Sequence, residues 1–157
     1  MPSSNAPPSR CHHENLQLDQ QLCFALYSAT HAMTRSYKRA LAAVGLTYPQ
    51  YLVMLVLWEA DRERISDIGE RLFLDSATLT PLLKRLEKAG LVTRTRAIDD
   101  ERSVIVALTG AGRALRRRAT AVPPRVACAA LAPDAKDGGR ALVRSLHALR
   151  DRLLTNP

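Results

Sequence analysis

The sequence predicts a mainly α-helical fold with one small β wing, and three observations carry that reading. Apolar residues recur at helical spacing along the first third of the chain. Two short helix-length segments then abut at a tight turn. A pair of strand-like segments follows, joined by a charged hairpin tip. The 157 residues are about one domain's length, enough to bury a core without disulfide staples. Hydrophobic residues make up 46% and charged residues 24%, which excludes wholesale disorder and collagen-like repeats. The longest apolar run, Tyr51 to Trp58, is too short to span a bilayer, and no cationic start followed by an apolar stretch marks a signal peptide. Three sparse cysteines without an export signal predict a reduced, cytoplasmic protein with free thiols and no membrane partner.

Taken in order, residues 1–15 are rich in Pro and Ser and predict a disordered tail. Leu22, Leu26, Met33, Tyr37, Leu41 and Val44 then form an apolar stripe that Gly45 ends. This predicts one helix of about 27 residues, about 40 Å long, which exceeds what a small domain needs and calls for a partner chain. Thr47, Pro49 and Gln50 fit a capping box, so the all-apolar run from Tyr51 predicts a buried helix rather than a strand. Arg64-Ile65 predicts a short strand. Ser66–Phe73 predicts a two-turn helix with Ile68, Leu72 and Phe73 on its apolar side, and Trp58 and Phe73 are expected in the core. Ser76–Ala89 predicts a second helix, capped by Asp75 or Ser76, with Leu79, Leu82, Leu83 and Leu86 inward and Gly90 at its end. Leu91–Ala97 and Ser103–Leu108 predict strands flanking the tip Ile98–Arg102. Thr109 caps a further helix, interrupted at Pro123-Pro124, and a last helix runs from about Asp134 to Leu154 with Leu142, Leu146, Leu149 and Leu153 on one stripe. The elements compose a winged helix-turn-helix over 46–109, flanked by helical regions 16–45 and 110–157.

The charge supports nucleic acid as the partner. Net charge is +8, and residues 62–125 carry fourteen basic and eight acidic side chains, +6 of that excess. A second helix seated in a major groove presents short polar side chains to base edges. Ser76, Thr78, Thr80, Lys84 and Arg85 stand outward on that helix by spacing. Arg94 and Arg96 lie on the strand entering the wing. Arg102 at the tip suits a narrow minor groove, with Asp100 orienting its guanidinium. The plainer alternative for each residue is a helix cap or a solvated charge.

Residues 16–109 resemble the MarR family of winged-helix transcription regulators. The matching pieces are Leu72–Ser76 followed by Thr78-Leu79-Thr80-Pro81-Leu82-Leu83, Leu86-Glu87 with Gly90-Leu91-Val92, and Asp99-Asp100-Glu101-Arg102-Ser103 with Leu108-Thr109. The segments LCFALY (22–27), GLTYPQYLVMLVLWE (45–59) and LDSATLTPLLKRLE (74–87) resemble the organic-hydroperoxide-sensing repressors within it. The resemblance implies a homodimer on a near-palindromic double-stranded operator, with the first and last helices at the dimer seam.

Cys23 lies on the stripe side of the first helix, one turn from Tyr27. Tyr37 is about 21 Å further along a straight helix and can meet only the Cys23 of a second subunit. Phenol hydroxyls donating to sulfur favour the thiolate, the form that attacks peroxides. The alternative is a buried structural thiol. The resemblance implies that Cys23 is the peroxide-reactive cysteine, surrounded by Tyr27, Tyr37 and Tyr48, partly from the other subunit. Some members resolve the oxidised thiol with a cysteine in the region of Cys128, giving an intersubunit disulfide, and others use a small-molecule thiol. Cys128 is the candidate here, against a core role among Val126, Ala127, Ala129 and Ala130. Cys11 with His12 and His13 offers three adjacent ligands that cannot wrap a metal unaided, so no metal or cofactor is expected. The expected function is a peroxide-released repressor, not an enzyme. The alternative is a repressor released by a non-covalent aromatic acid.

Overall fold

The computed structural model describes residues 16–97, 103–131, 137 and 139–155. The chain divides into two compact units, Met1–Ala32 and Met33–Pro157. Among its described residues the first contains a 3-10 turn, Leu18–Gln20, and the start of helix α1 (Leu22–Leu41). Leu16, Leu18, Leu22 and Tyr27 are exposed there. The expected unbroken helix is therefore three pieces. Gln21 is extended and separates the first turn from α1, and Ala42–Val44 tighten into a second 3-10 turn before Gly45, which takes the left-handed conformation at φ +72°.

The second unit carries the core. The Thr47 capping box forms as the sequence requires: the Thr47 amide donates to Gln50 Oε1 at 2.9 Å and Thr47 Oγ1 accepts from the Gln50 amide. It opens helix α2 (Tyr48–Glu59), which buries Tyr51, Val53, Met54, Val56, Leu57 and Trp58. Strand β1 (Glu63–Arg64) is followed at once by α3 (Ile65–Leu72) and α4 (Ser76–Lys88). Ile65 starts the helix rather than lying in the strand. Asp75 is the N-cap of α4, accepting the Thr78 amide at 2.7 Å. Leu79, Leu83 and Leu86 are fully buried beneath α4, with Ile68 of α3 beside them in the core. Strands β2 (Val92–Arg96) and β3 (Val104–Leu108) complete an antiparallel sheet of order β1-β3-β2, in the register Val92 to Leu108 and Arg94 to Val106.

Thr109 caps α5 (Gly110–Ala119) by accepting the Gly112 amide at 3.0 Å. The Trp58 indole donates to the Gly112 carbonyl at 2.9 Å, so the core position expected for Trp58 also fixes α5. Two later boundaries differ from expectation. The break after α5 falls at Thr120–Ala121, before the prolines, which sit in the first turn of α6 (Val122–Ala130). A first-turn proline lacks only an N–H that has no helical partner there, so it opens a helix rather than interrupting one. The last helix, α7, spans Arg140–Thr155. Its start is set by Asp137, whose carboxylate accepts the Gly139 and Ala141 amides. It carries no buried residue, and Leu142, Val143, Leu146, Leu153 and Leu154 are exposed.

Phe73 corrects the sequence reading most sharply. It is 63% exposed, not core, because it ends α3 in the left-handed region at φ +54° and its ring projects outward, with the Arg150 guanidinium 5.6 Å above it.

Candidate nucleic-acid interface and thiol site

Helix α4 exposes Ser76, Ala77, Thr78, Pro81, Lys84 and Arg85, and half-buries Thr80. Thr80 Oγ1 donates to the Ser76 carbonyl at 2.6 Å. Pro81 lies inside the helix and has no N–H for the Ala77 carbonyl, which leaves that acceptor on the outward face. The Thr78 amide bond holds the Asp75 carboxyl below the usual carboxylate range, so the cap is charged at neutral pH.

Arg96 is exposed on β2, but Arg94 is not a free cation. Its Nε and Nη2 donate to Glu87 Oε2 at 2.9 and 2.6 Å, and its amide donates to Glu87 Oε1. The pairing holds the Glu87 carboxyl low. Arg94 thus ties β2 to α4, a role that a strand position alone did not signal. Asp100 and Arg102 lie outside the described residues, as does Cys11.

Asp61, which the sequence reading passed over, joins three elements. Its carboxylate accepts from the amides of Leu108 at 2.8 Å and Arg62 at 2.9 Å and from Arg113 at 2.7 Å. Burial pushes the carboxyl up, but the Leu108 amide, the Arg113 guanidinium and the Arg62 amide outweigh it, and the net displacement is downward. Glu59 pairs with Arg71 and links α2 to α3.

Cys23 and Cys128 are both free thiols and both exposed, so neither is a core cysteine of the single chain. In the first unit, Tyr27 packs on Phe24 at 6.4 Å and edge-on to His31 at 4.4 Å. In the second, Tyr37 meets Tyr48 at 4.5 Å and Tyr51 at 5.9 Å. Tyr51, the fourth tyrosine, is legible in the sequence only as the start of a buried helix, although its position three residues after Tyr48 places both on one helix face. Burial pushes the phenols of Tyr37, Tyr48 and Tyr51 up, so all three stay protonated donors at neutral pH. Among the described residues, no cluster of three or more His, Cys, Asp or Glu is placed to hold a metal ion. Among the described residues, no single helix is long and apolar enough to cross a membrane.

Residues 35–118 match the family model described as transcriptional regulator SarA/Rot. The chain is 51% identical over 136 residues to the HTH-type transcriptional regulator TtmR of Methylorubrum extorquens, covering 87% of this chain and 69% of that protein. It is 47% identical over 110 residues to the organic hydroperoxide resistance transcriptional regulator of Bacillus subtilis, covering 70% of this chain and 75% of that one. Among solved structures, reduced AbfR bound to DNA superposes with a TM-score of 0.71 at 35% identity, covering 87% and 94% of the two chains. The two curated relatives are named regulators of transcription rather than enzymes, and AbfR and the transcriptional repressor CouR are solved on DNA. With its helix-turn-helix, its three-stranded wing and these matches, the chain belongs to the MarR-type winged-helix transcriptional regulators.

Proposed function

We propose that the chain is a cytoplasmic repressor that binds a near-palindromic operator as a homodimer and releases it when organic hydroperoxide oxidises Cys23. The winged helix-turn-helix of 46–109 holds the DNA. The helices of 16–45 and 110–157 form the dimer. The observation that carries the reading is an exposed Cys23 on the helix that bears Tyr27 and Tyr37, together with a tilted Tyr37–Tyr48 ring pair whose phenols remain donors. Support also comes from the name of the Bacillus subtilis relative and from AbfR, which is solved reduced on DNA, overoxidised on DNA and with its disulfide formed.

The chemistry has two steps. The Cys23 thiolate attacks the terminal peroxide oxygen; the O–O bond breaks, the alkoxide leaves and takes a proton to become the alcohol, and sulfur is oxidised to the sulfenic acid. The Cys128 thiolate of the partner subunit then attacks that sulfur, hydroxide leaves and is protonated to water, and an intersubunit disulfide forms. A disulfide requires Cα atoms within about 7 Å. Forming it moves the helices that carry the two thiols and shifts the reading helices off their spacing of about 34 Å. A gel shift on the protein's own upstream DNA, reduced against cumene-hydroperoxide-treated, tests this with non-reducing electrophoresis alongside. Wild type is expected to release DNA and run at doubled mass, and C23S to do neither. Release by C23S overturns the reading. C128S that releases DNA only when a small-molecule thiol is added with the peroxide assigns resolution to that thiol.

A second reading has one observation behind it. A cavity of about 300 Å³ between α2 and α5 is lined by Tyr51, Leu55, Trp58 and Pro123 together with Glu59 and Arg116, so its walls suit an aromatic ring and Arg116 is the cation that would pair an acid there. Under that reading an aromatic acid releases C23S and wild type from DNA alike.

A further inference from the structure

Helix α3 closes with both bonds of a Schellman turn: the Leu74 amide donates to the Gly69 carbonyl at 2.9 Å and the Phe73 amide to the Glu70 carbonyl at 3.2 Å. The residue that ends such a turn takes the left-handed conformation and is usually glycine. Here it is Phe73, at φ +54° and 63% exposed. That backbone strains its Cβ, and its ring, left largely in water, gains little burial in return. A bulky residue kept where neither the backbone nor the core favours it points to a contact made outside the local fold. The Arg150 guanidinium supplies that contact, 5.6 Å from the centre of the Phe73 ring. Asp151 orients it by accepting from its Nε at 2.8 Å and its Nη2 at 2.7 Å.

Arg150 lies on α7, four residues after Leu146 and three before Leu153, so it shares their helix face. That face is exposed and α7 buries no residue, so no core packing fixes α7 against the helix-turn-helix. In the homodimer proposed above, the apolar part of the face lies at the seam. At Arg150 the same face meets the turn that joins α3 to α4. We propose that Arg150 and Phe73 are positioning residues for operator binding. Their contact braces each reading head against the seam helix and so sets the distance between the two reading helices. Two heads already held at the half-site spacing of about 34 Å lose less freedom on binding than two loose ones. Glycine would relieve the turn but would give the guanidinium no ring face to rest on. The inference rests on the homodimer of that reading and is independent of its thiol chemistry.

The test measures, by fluorescence anisotropy, the affinity of the reduced full-length protein for three duplexes from its own upstream DNA. These are the operator, the operator with one base pair inserted between its half-sites, and a single half-site. The insertion moves one head's target by about 3.4 Å and turns it by about 35°. Wild type should bind the operator far more tightly than the insertion. R150Q and F73A are each expected to weaken operator binding about five- to thirtyfold, the effect of two exposed cation–π contacts per dimer. They should weaken binding to the insertion less, so the spacing preference falls, and should leave half-site binding unchanged because α4 itself is intact. The double variant should lose no more than either single one. F73Y keeps a ring and should keep the preference. F73G removes the ring and relieves the backbone, so it should unfold at or above the wild-type temperature and still lose the preference, which a loss of folding would not produce. A half-site loss equal to the operator loss, additive single effects, or a lowered salt slope in R150Q, the mark of a lost phosphate contact, overturns the proposal. So does an R150Q or F73A variant that sediments as a monomer. A wild type indifferent to the insertion overturns the homodimer reading itself, and the proposal with it.

Discussion

At the residue scale, three carboxylates are held below their ordinary range by their surroundings. The Thr78 amide does this to Asp75, and the Arg94 guanidinium to Glu87. At Asp61, burial opposes and the amides and Arg113 prevail. A carboxylate whose folded pKa lies below its unfolded value adds stability that is fully present above the unfolded pKa, near 4, and disappears as pH falls through the folded value. These groups therefore contribute no pH dependence between 7 and 5 and a loss of stability below about pH 4. Urea unfolding across that range is expected to show a flat region followed by an acid fall. E87Q should flatten the fall, because it removes one of the titrating groups along with its pairing to Arg94. The Asp75 cap follows from spacing, but the other two pairings do not. Glu87 and Arg94 are seven residues apart across a helix end and a turn, and Asp61 meets Arg113 from 52 residues away.

At the element scale, the joint between α5 and the wing shows how closely the backbone is packed. Gly112 lies in the first turn of α5, and a Cβ placed there would meet the Leu91 carbonyl oxygen at 2.1 Å and a Leu108 methyl at 3.2 Å. The Leu91 carbonyl is itself fixed, accepting the Thr109 amide at 3.0 Å. Neither side gives way cheaply, so G112A is expected to destabilise the fold by about 1–3 kcal/mol or more, read as a lower urea midpoint at unchanged m-value. In the sequence, Gly112 is one of two glycines flanking Ala111 and carries no mark of this approach. The Thr109 cap, by contrast, was readable, because a threonine three residues before a helical amide is a local signal. The same contrast separates α3 from its end. The helix was legible from Ile68 and Leu72, but the left-handed turn that expels Phe73 was not, because a bulky residue there breaks the usual preference.

At the scale of the whole molecule, burial along the α1 stripe rises toward its end: Leu22 is 60% exposed, Met33 39%, and Leu41 fully buried. Along α7, Leu142, Leu146 and Leu153 are also exposed, each at 40% or more. Large apolar side chains spaced by helical turns and left in water are costly at about 25 cal/mol per Å². In the proposed homodimer the second copy removes that cost. L142E combined with L146E is expected to shift the protein from dimer to monomer in sedimentation equilibrium and to reduce operator affinity by at least tenfold. A dimer that persists in this variant would place the seam elsewhere.

Sequence alone determined the helix-turn-helix, the wing strands, the caps at Thr47, Asp75 and Thr109, and the basic middle third, because each depends on neighbours within a few residues or on composition. It also picked out Cys23 and three of the four tyrosines. Tertiary structure decided the rest. It turned Arg94 inward to Glu87, joined Arg64 to Ser103 across the wing root, brought Tyr51 against Tyr37, and set Phe73 outside. The physical reason is common to all four. Which way a polar or aromatic side chain is aimed depends on groups distant in sequence, or on a turn conformation that its own residue type does not favour, and periodicity carries no information about either.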